Sequence, residues 1–202
     1  MKTCYIIGAG DFFGDFYPEK DDLVIAADGG YDTLVKLGKK CDLFVGDMDS
    51  SKEYPTGIEI LRFPIEKDET DMFLAYREGR KRGCSEFKLY GGVGGRIDHT
   101  FANLSLLIYA KNANDNLVLI ADKYEIFVIK NEKILLQGAP GKTFSVFAFD
   151  KAADGVSVRG AKYEAINVRL TPDFPLGVSN SFTKTECEIE VKSGVLLIMR
   201  ET

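Results

Sequence analysis

The sequence predicts an α/β protein in two parts: an N-terminal, mainly parallel α/β sheet domain over residues 1–122, then a C-terminal antiparallel β-sandwich over residues 123–202. Two rhythms carry this reading. Up to Asp122, short apolar runs alternate with amphipathic stretches of helical period, the pattern of a parallel sheet covered by helices on both faces. After Lys123 the helical period is lost, and short strand-like runs follow one another between Gly, Asn, Asp and Pro.

In the first part, strands are expected at 4–7, 23–27, 42–46, 58–63, 86–90 and 117–121. A helix is expected from Asp71 to Arg82, with Phe73, Tyr76 and Arg80 on a helical step and Gly83 as its stop. A second runs from about Asp98 to Lys111, with Ile97, Phe101, Leu104 and Ile108 spaced for one buried face. In the second part, strands are expected at 124–129, 143–149, 155–159, 165–170, 178–182, 187–191 and 195–199. Residues 143–149 alternate cleanly, as a half-buried strand does.

Composition sets limits without naming a function. The hydrophobic share of 45% and charged share of 28% are those of an ordinary soluble globular protein. A net charge of −5, with no run of Lys or Arg, argues against a nucleic-acid partner. Cys4, Cys41, Cys84 and Cys187 form no C-x-x-C pair and read as reduced, packed residues of a cytoplasmic protein. There is no signal-peptide pattern and no apolar run of membrane length, so no membrane partner is expected.

Chemistry concentrates where strands end. Gly46-Asp47-Met48-Asp49-Ser50 and Lys67-Asp68-Glu69-Thr70-Asp71 each follow an apolar run. Carboxylates at the C-terminal ends of parallel strands converge on the crevice where open α/β sheets bind ligands. Such all-oxygen clusters suit a hard divalent ion, Mg²⁺ above all when phosphates share it. Asp47 and Asp49 are alternate residues of an extended segment and point the same way. Asp68 and Asp71 have a plainer reading as acids complementing a helix dipole. Asp28, in Ala27-Asp28-Gly29-Gly30, is either a cap at a strand-to-helix turn or a further carboxylate at the same edge.

Gly91-Gly92-Val93-Gly94-Gly95-Arg96 lies between a strand and a helix, and four glycines in five positions exceed the needs of one turn. They let backbone N–H groups approach an anion, with a helix N-terminus adding positive potential. Arg96 can fork onto phosphate oxygens, and the only histidine, His99, adjoins it. Two other glycine motifs fail. In Gly8-Ala9-Gly10 the third glycine, Gly14, comes one residue late for a dinucleotide fingerprint, which leaves a turn before a short helix. Gly141-Lys142-Thr143 lacks the first glycine of a P-loop and runs into a strand.

Together these motifs resemble the thiamine pyrophosphokinase (thiamine diphosphokinase) family over essentially the whole chain. The residues that carry the resemblance are 27–30, 46–50, 63–71 and 91–99, with Ala102-Asn103-Leu104, and Val178-Ser179-Asn180-Ser181-Phe182 near the C-terminus. The resemblance implies transfer of the pyrophosphoryl group of ATP to the hydroxyl of thiamine, giving thiamine diphosphate and AMP, in a homodimer with thiamine at the subunit interface. It implies Asp47, Asp49 and Asp71 as catalytic Mg²⁺ ligands. ATP and its phosphates would meet Asp28, Asp68, Thr70, Gly92, Gly94, Gly95, Arg96 and His99, and thiamine would meet Ser179, Asn180 and Phe182. Animal members of the family stack a tryptophan on the thiamine ring; this chain has none, leaving Phe182, another aromatic or polar contacts to hold it. The competing readings are a Mg²⁺-dependent phosphoryl transferase acting on another small alcohol, and a non-catalytic nucleotide or thiamine sensor.

Overall fold

A computed structural model describes residues 2–47, 55–64 and 68–202. The chain divides into two compact units, Met1–Asp122 and Lys123–Thr202.

In the first unit the elements run β1 (Thr3–Ile7), β2 (Leu23–Ala27), α1 (Gly30–Leu37), β3 (Leu43–Gly46), β4 (Glu59–Arg62), α2 (Asp71–Lys81), β5 (Glu86–Tyr90), α3 (Ile97–Asn112) and β6 (Asn116–Ala121). Every strand pairing in this unit is parallel, in the order β6-β5-β1-β2-β3-β4. Helices cover both faces. Tyr5, Ile7, Val24, Ala26 and Phe44 pack with Leu34 of α1. On the opposite face Gly79 of α2 sits against Cys4 and Phe87, where a Cβ would come within 2.9 Å of the Cys4 sulfur.

Strand order reverses at β1: the chain leaves it for β2 on one side and returns to β5 on the other. That switch point opens a crevice at the carboxyl ends of β1 and β5. The β1–β2 connection carries no helix, contrary to the short helix anticipated after Gly8-Ala9-Gly10. Phe12 and Phe16 fill that place instead, stacking on Tyr90 and Tyr5 with ring centroids 5.2 Å apart in each pair.

Local sequence explains where α2 begins and ends. The Thr70 side chain accepts a hydrogen bond from the Phe73 amide at 3.2 Å and caps the helix. Gly83 takes φ 82° and its amide reaches the Arg80 carbonyl, giving the expected stop. In α3 the expected buried face is corrected. Ile97 and Phe101 are 85% and 63% exposed, and the buried residues are Asn103, Leu106, Leu107 and Ala110. The apolar spacing marked one stripe of the helix, but the stripe that is buried is the adjacent one, with Leu104 and Ile108 half-buried at its border.

The second unit contains β7 (Tyr124–Lys130), β8 (Lys133–Gln137), β9 (Thr143–Ala148), β10 (Ala153–Arg159), β11 (Ala165–Leu170), β12 (Asn180–Ser181), β13 (Glu186–Glu190) and β14 (Val195–Glu201). They form two antiparallel layers, β12-β9-β14-β7 and β11-β10-β13-β8. Ile129, Phe144, Val146, Leu196 and Ile198 of one layer meet Leu136, Val156, Val158, Cys187 and Ile189 of the other in a shared core. Strand β8 falls where no strand was expected, because Leu135 is exposed inside an unbroken Ile-Leu-Leu run and hides the alternation. The stretch 178–182 is strand only at Asn180–Ser181. All four cysteines are free.

Candidate active site

At the switch point the first unit has a cavity of about 310 Å³. Its walls are the turn after β1 (residues 8–10), Asp28 after β2, Thr70 and Asp71 at the start of α2, the glycine loop after β5 with Arg96 at its end, and His99 and Asn103 of α3. Parallel register brings these carboxyl ends to one edge: Ile7 lies beside Ala26 and Tyr90, and Ala27 beside Val45.

Asp28 occupies a left-handed conformation, φ 47°, which costs a residue with a Cβ energy and is held by its surroundings. Its amide donates to Val45 O at 2.9 Å, and its carbonyl accepts from Tyr31 N at 3.1 Å. The cap reading for Asp28 gives way, since the N-cap of α1 is Gly29 and the helix start has no side-chain cap bond. Gly30 admits no other residue, because a Cβ there would stand 1.9 Å from the Ile7 carbonyl oxygen.

The glycine loop takes positive φ at Gly91 (63°), Gly94 (80°) and Gly95 (69°). The N-cap residue of α3, Arg96, makes no side-chain cap bond, and within the first turn the His99 amide donates to Asp98 Oδ1 at 3.0 Å. Arg96 forks onto Asp98, Nε to Oδ1 at 3.1 Å and Nη2 to Oδ2 at 2.6 Å. Hydrogen bonding from Arg96 holds the Asp98 carboxyl below its usual range, and the same pair raises Arg96. The pair occupies the Nε–Nη2 edge of the guanidinium and leaves the Nη1–Nη2 edge for an anion.

The expected site residues divide. Asp28, Thr70, Asp71, Gly92, Gly94, Gly95, Arg96 and His99 line one cavity. Asp47 follows β3 at the same sheet edge, half-buried, outside the cavity lining. Asp68 instead borders a shallow groove with Phe73, Ser105 and Tyr109. Asp49 lies outside the described residues, and among those described no three acidic, His or Cys side chains cluster as a metal site. Gly8-Ala9-Gly10 and Asn103 complete the cavity without having been assigned to it. The signal for the first was its position directly after a first strand.

The second unit has its own cavity of about 570 Å³, walled by apolar side chains including Val146, Val158, Ile166, Leu176 and Val178. The Asn180 side chain is spent locally: its Nδ2 donates to Tyr163 O at 2.7 Å and its Oδ1 accepts from Tyr163 N at 3.0 Å. Ser179 takes φ 58°, and its amide donates to Ser145 Oγ at 3.0 Å. Phe182, expected at the thiamine ring, is corrected to a core residue. It is 2% exposed, packs on Phe144 at 4.9 Å, and lies tight against Gly138. The aromatic ring that does line this cavity is Tyr163, 59% exposed and clamped through its backbone by Asn180.

Fold and site together define an α/β protein with a glycine-walled cavity at the switch point of its parallel sheet, followed by an antiparallel sandwich. The family model for the thiamin pyrophosphokinase catalytic domain matches residues 16–119, and that for the thiamin pyrophosphokinase vitamin B1 binding domain matches residues 123–196. The chain belongs to the thiamine pyrophosphokinase family. The thiamine pyrophosphokinase of Bacillus subtilis (strain 168) is 26% identical over the full length of both chains. Thiamine pyrophosphokinase 1 of Oryza sativa subsp. japonica is 33% identical over 47% of this chain and 40% of its own. The crystal structure of the Bacillus subtilis enzyme shares the fold at a TM-score of 0.91, with 24% identity, covering 100% of this chain and 99% of that one. The yeast structure does so at 0.75, with 17% identity, covering 100% and 86%.

Proposed function

We propose that this chain transfers the pyrophosphoryl group of ATP to the hydroxyl of thiamine, giving thiamine diphosphate and AMP. The observation that carries this is the joining of carboxylates, an arginine fork and a glycine loop in one cavity of a chain whose two halves match the two domains of the family. The hydroxyl oxygen attacks the β-phosphorus, an O–P bond forms, and the bond from the β-phosphorus to the α,β-bridging oxygen breaks. AMP leaves with that oxygen, and the hydroxyl proton is released.

The glycine-loop amides, the helix start that follows them and Arg96 hold the phosphates, and His99 adds a side-chain contact from the first turn. Positioning and preorganised charge supply most of the acceleration. The proposed donors are all oxygen and suit Mg²⁺: Asp71 of the cavity, with Asp47 and Asp49, would hold it. When bound, the ion neutralises charge on the transferred group and on the departing AMP oxygen. The working form is a cytoplasmic homodimer with thiamine between subunits. In support, the second unit presents Tyr163, Ile166, Leu176 and Val178 as an exposed apolar wall. Among the described residues no helix is long and apolar enough to cross a membrane.

The test is direct. Purified protein with Mg²⁺, ATP and thiamine should form thiamine diphosphate and AMP in equal amounts. ADP with thiamine monophosphate as the products would refute pyrophosphoryl transfer.

A further inference from the structure

Four consecutive carbonyls of the glycine loop are tied down from behind. Tyr90 O accepts from Gly8 N at 2.8 Å, Gly91 O from Gly10 N at 3.0 Å, and Val93 O from Asp11 N at 2.8 Å. The fourth, Gly92 O, accepts from the Asn103 side-chain Nδ2 at 2.8 Å. In a planar trans peptide, the N–H of the next residue points opposite to the carbonyl. Fixing these four carbonyls therefore fixes the direction of the amides of Gly91, Gly92, Val93 and Gly94, the groups a phosphate would use. Three ties come from backbone on the β1 side. The Gly92 tie alone of the four comes from a side chain, and it comes from α3.

Asn103 has no plainer role that accounts for its place. It is 4% exposed in the middle of a helix, and a buried carboxamide there is tolerated only if it is hydrogen-bonded. Since Gly92 O can only accept, the Asn103 atom facing it is the amide nitrogen. The fit is close: a Cβ on Gly92 would come within 3.3 Å of Asn103 Nδ2 and 2.5 Å of a Leu119 methyl. The carboxamide thus locks the glycine loop to the helix whose first turn carries Arg96 and His99.

We propose that Asn103 is a positioning residue for the donor phosphates: it sets the Gly92–Val93 peptide plane and thereby aligns the loop amides with Arg96. This inference rests on the pyrophosphoryl-transfer reading and adds a residue to it. Asn103→Asp provides the test, since it keeps the side-chain shape. As a carboxylate it sets acceptor against acceptor at Gly92 O; protonated, it restores a donor. Burial beside a carbonyl raises the carboxyl pKa, so protonation falls within a usable pH range.

The quantity measured is kcat/KM for ATP, variant over parent, across pH 8 to 5.5. Asp28, Asp71, Arg96 and His99 line the same cavity in both proteins, so taking the ratio of variant to parent sets aside what they contribute. We expect a loss of about 10- to 100-fold at pH 8, the cost of an unsatisfied buried acceptor, recovering at least about 10-fold by pH 5.5, with KM for thiamine unchanged. Asn103→Ala, which removes the donor and has no proton to regain, should show the loss without the recovery, with thermal unfolding of both variants reporting the stability each retains. A flat ratio for Asn103→Asp, or a loss that falls equally on thiamine and ATP, would reduce Asn103 to a packing residue and overturn the proposal. The two readings fail separately. A parent that binds ATP but makes no thiamine diphosphate defeats the functional reading, while the pH-dependent affinities of parent and Asn103→Asp for α,β-methylene-ATP still decide the loop.

Discussion

The two cavities are built from different material. The one in the first unit is largely main chain: turns 8–10 and 91–95, the strained Asp28 and two helix starts, with charged side chains set among them. The one in the second unit is side chain, the apolar faces of strands around Tyr163. Backbone N–H groups suit phosphate, whose shape and charge are constant, and they demand glycine wherever an anion or a neighbouring carbonyl comes close. Apolar side chains suit an organic ring, and many residue combinations make an equivalent wall. Substitutions should therefore act on different kinetic parameters in the two cavities.

The largest effect is expected at Asp71. Asp71→Asn removes a carboxylate from the cavity and should lower kcat by about 100-fold or more, because charge neutralisation at the transferring group is the main source of rate. Stability should fall by only about 0.3–1 kcal/mol, the worth of an acid in a helix first turn. Thermal unfolding beside steady-state rates separates the two; parental kcat with unchanged Mg²⁺ dependence would remove Asp71 from the ligands. Arg96→Lys comes next. A point charge keeps the attraction and loses the planar fork, so KM for ATP should rise about 10-fold with KM for thiamine unchanged. The Arg96–Asp98 pair supplies a pH check with a definite sign. Asp98 is held below its usual range, so the pair is intact above that range and is lost only as pH falls through the lowered value. The effect of Arg96→Lys should therefore stay constant between pH 8 and about pH 5.

Tyr163→Ala tests the other cavity. Loss of an exposed aromatic wall should raise KM for thiamine about 5- to 10-fold and leave the ATP parameters alone. Phe182→Ala serves as the control, because its ring fills the core against Phe144 and Gly138. It should cost about 3–5 kcal/mol of stability, read as a lowered unfolding midpoint. An ATP-specific defect in Tyr163→Ala would erase the division of labour between the cavities.

The same contrast explains what the sequence made legible. Gly91 is visible because backbone geometry leaves no choice: at φ 63°, a Cβ would lie 2.3 Å from Gly8 O. Aspartates after apolar runs are visible because strand ends are where open parallel sheets gather ligands. Tyr163 carries no such mark, since an aromatic after a turn in a β-rich segment reads equally well as core. Phe182 was the more obvious aromatic beside Ser179 and Asn180, yet residue spacing cannot tell which face of a two-residue strand meets the core. Ile97 and Phe101 show the same ambiguity on a helix, where a stripe has a period but no label saying which side is covered. Asn103 is a third kind of omission: its value lies in one hydrogen bond to a loop eleven residues earlier in the chain, and only coordinates show that contact.

The smallest expected effect is the most discriminating for a main-chain site. Gly95 takes φ 69°, and a Cβ placed there meets nothing within 4 Å. Gly95→Ala is therefore free of the clashes that Gly91→Ala would bring, and retains only the cost of a left-handed alanine, about 1 kcal/mol. That corresponds to a fall of about 2–4 °C in Tm for a chain of this length. If the open space beside Gly95 is where phosphate oxygens lie, the added methyl should also raise KM for ATP, by about 3-fold, with KM for thiamine unchanged. A lowered Tm with parental ATP kinetics would move the phosphates away from Gly95 and toward the amides that Asn103 orients, narrowing the loop's working part to residues 91–94.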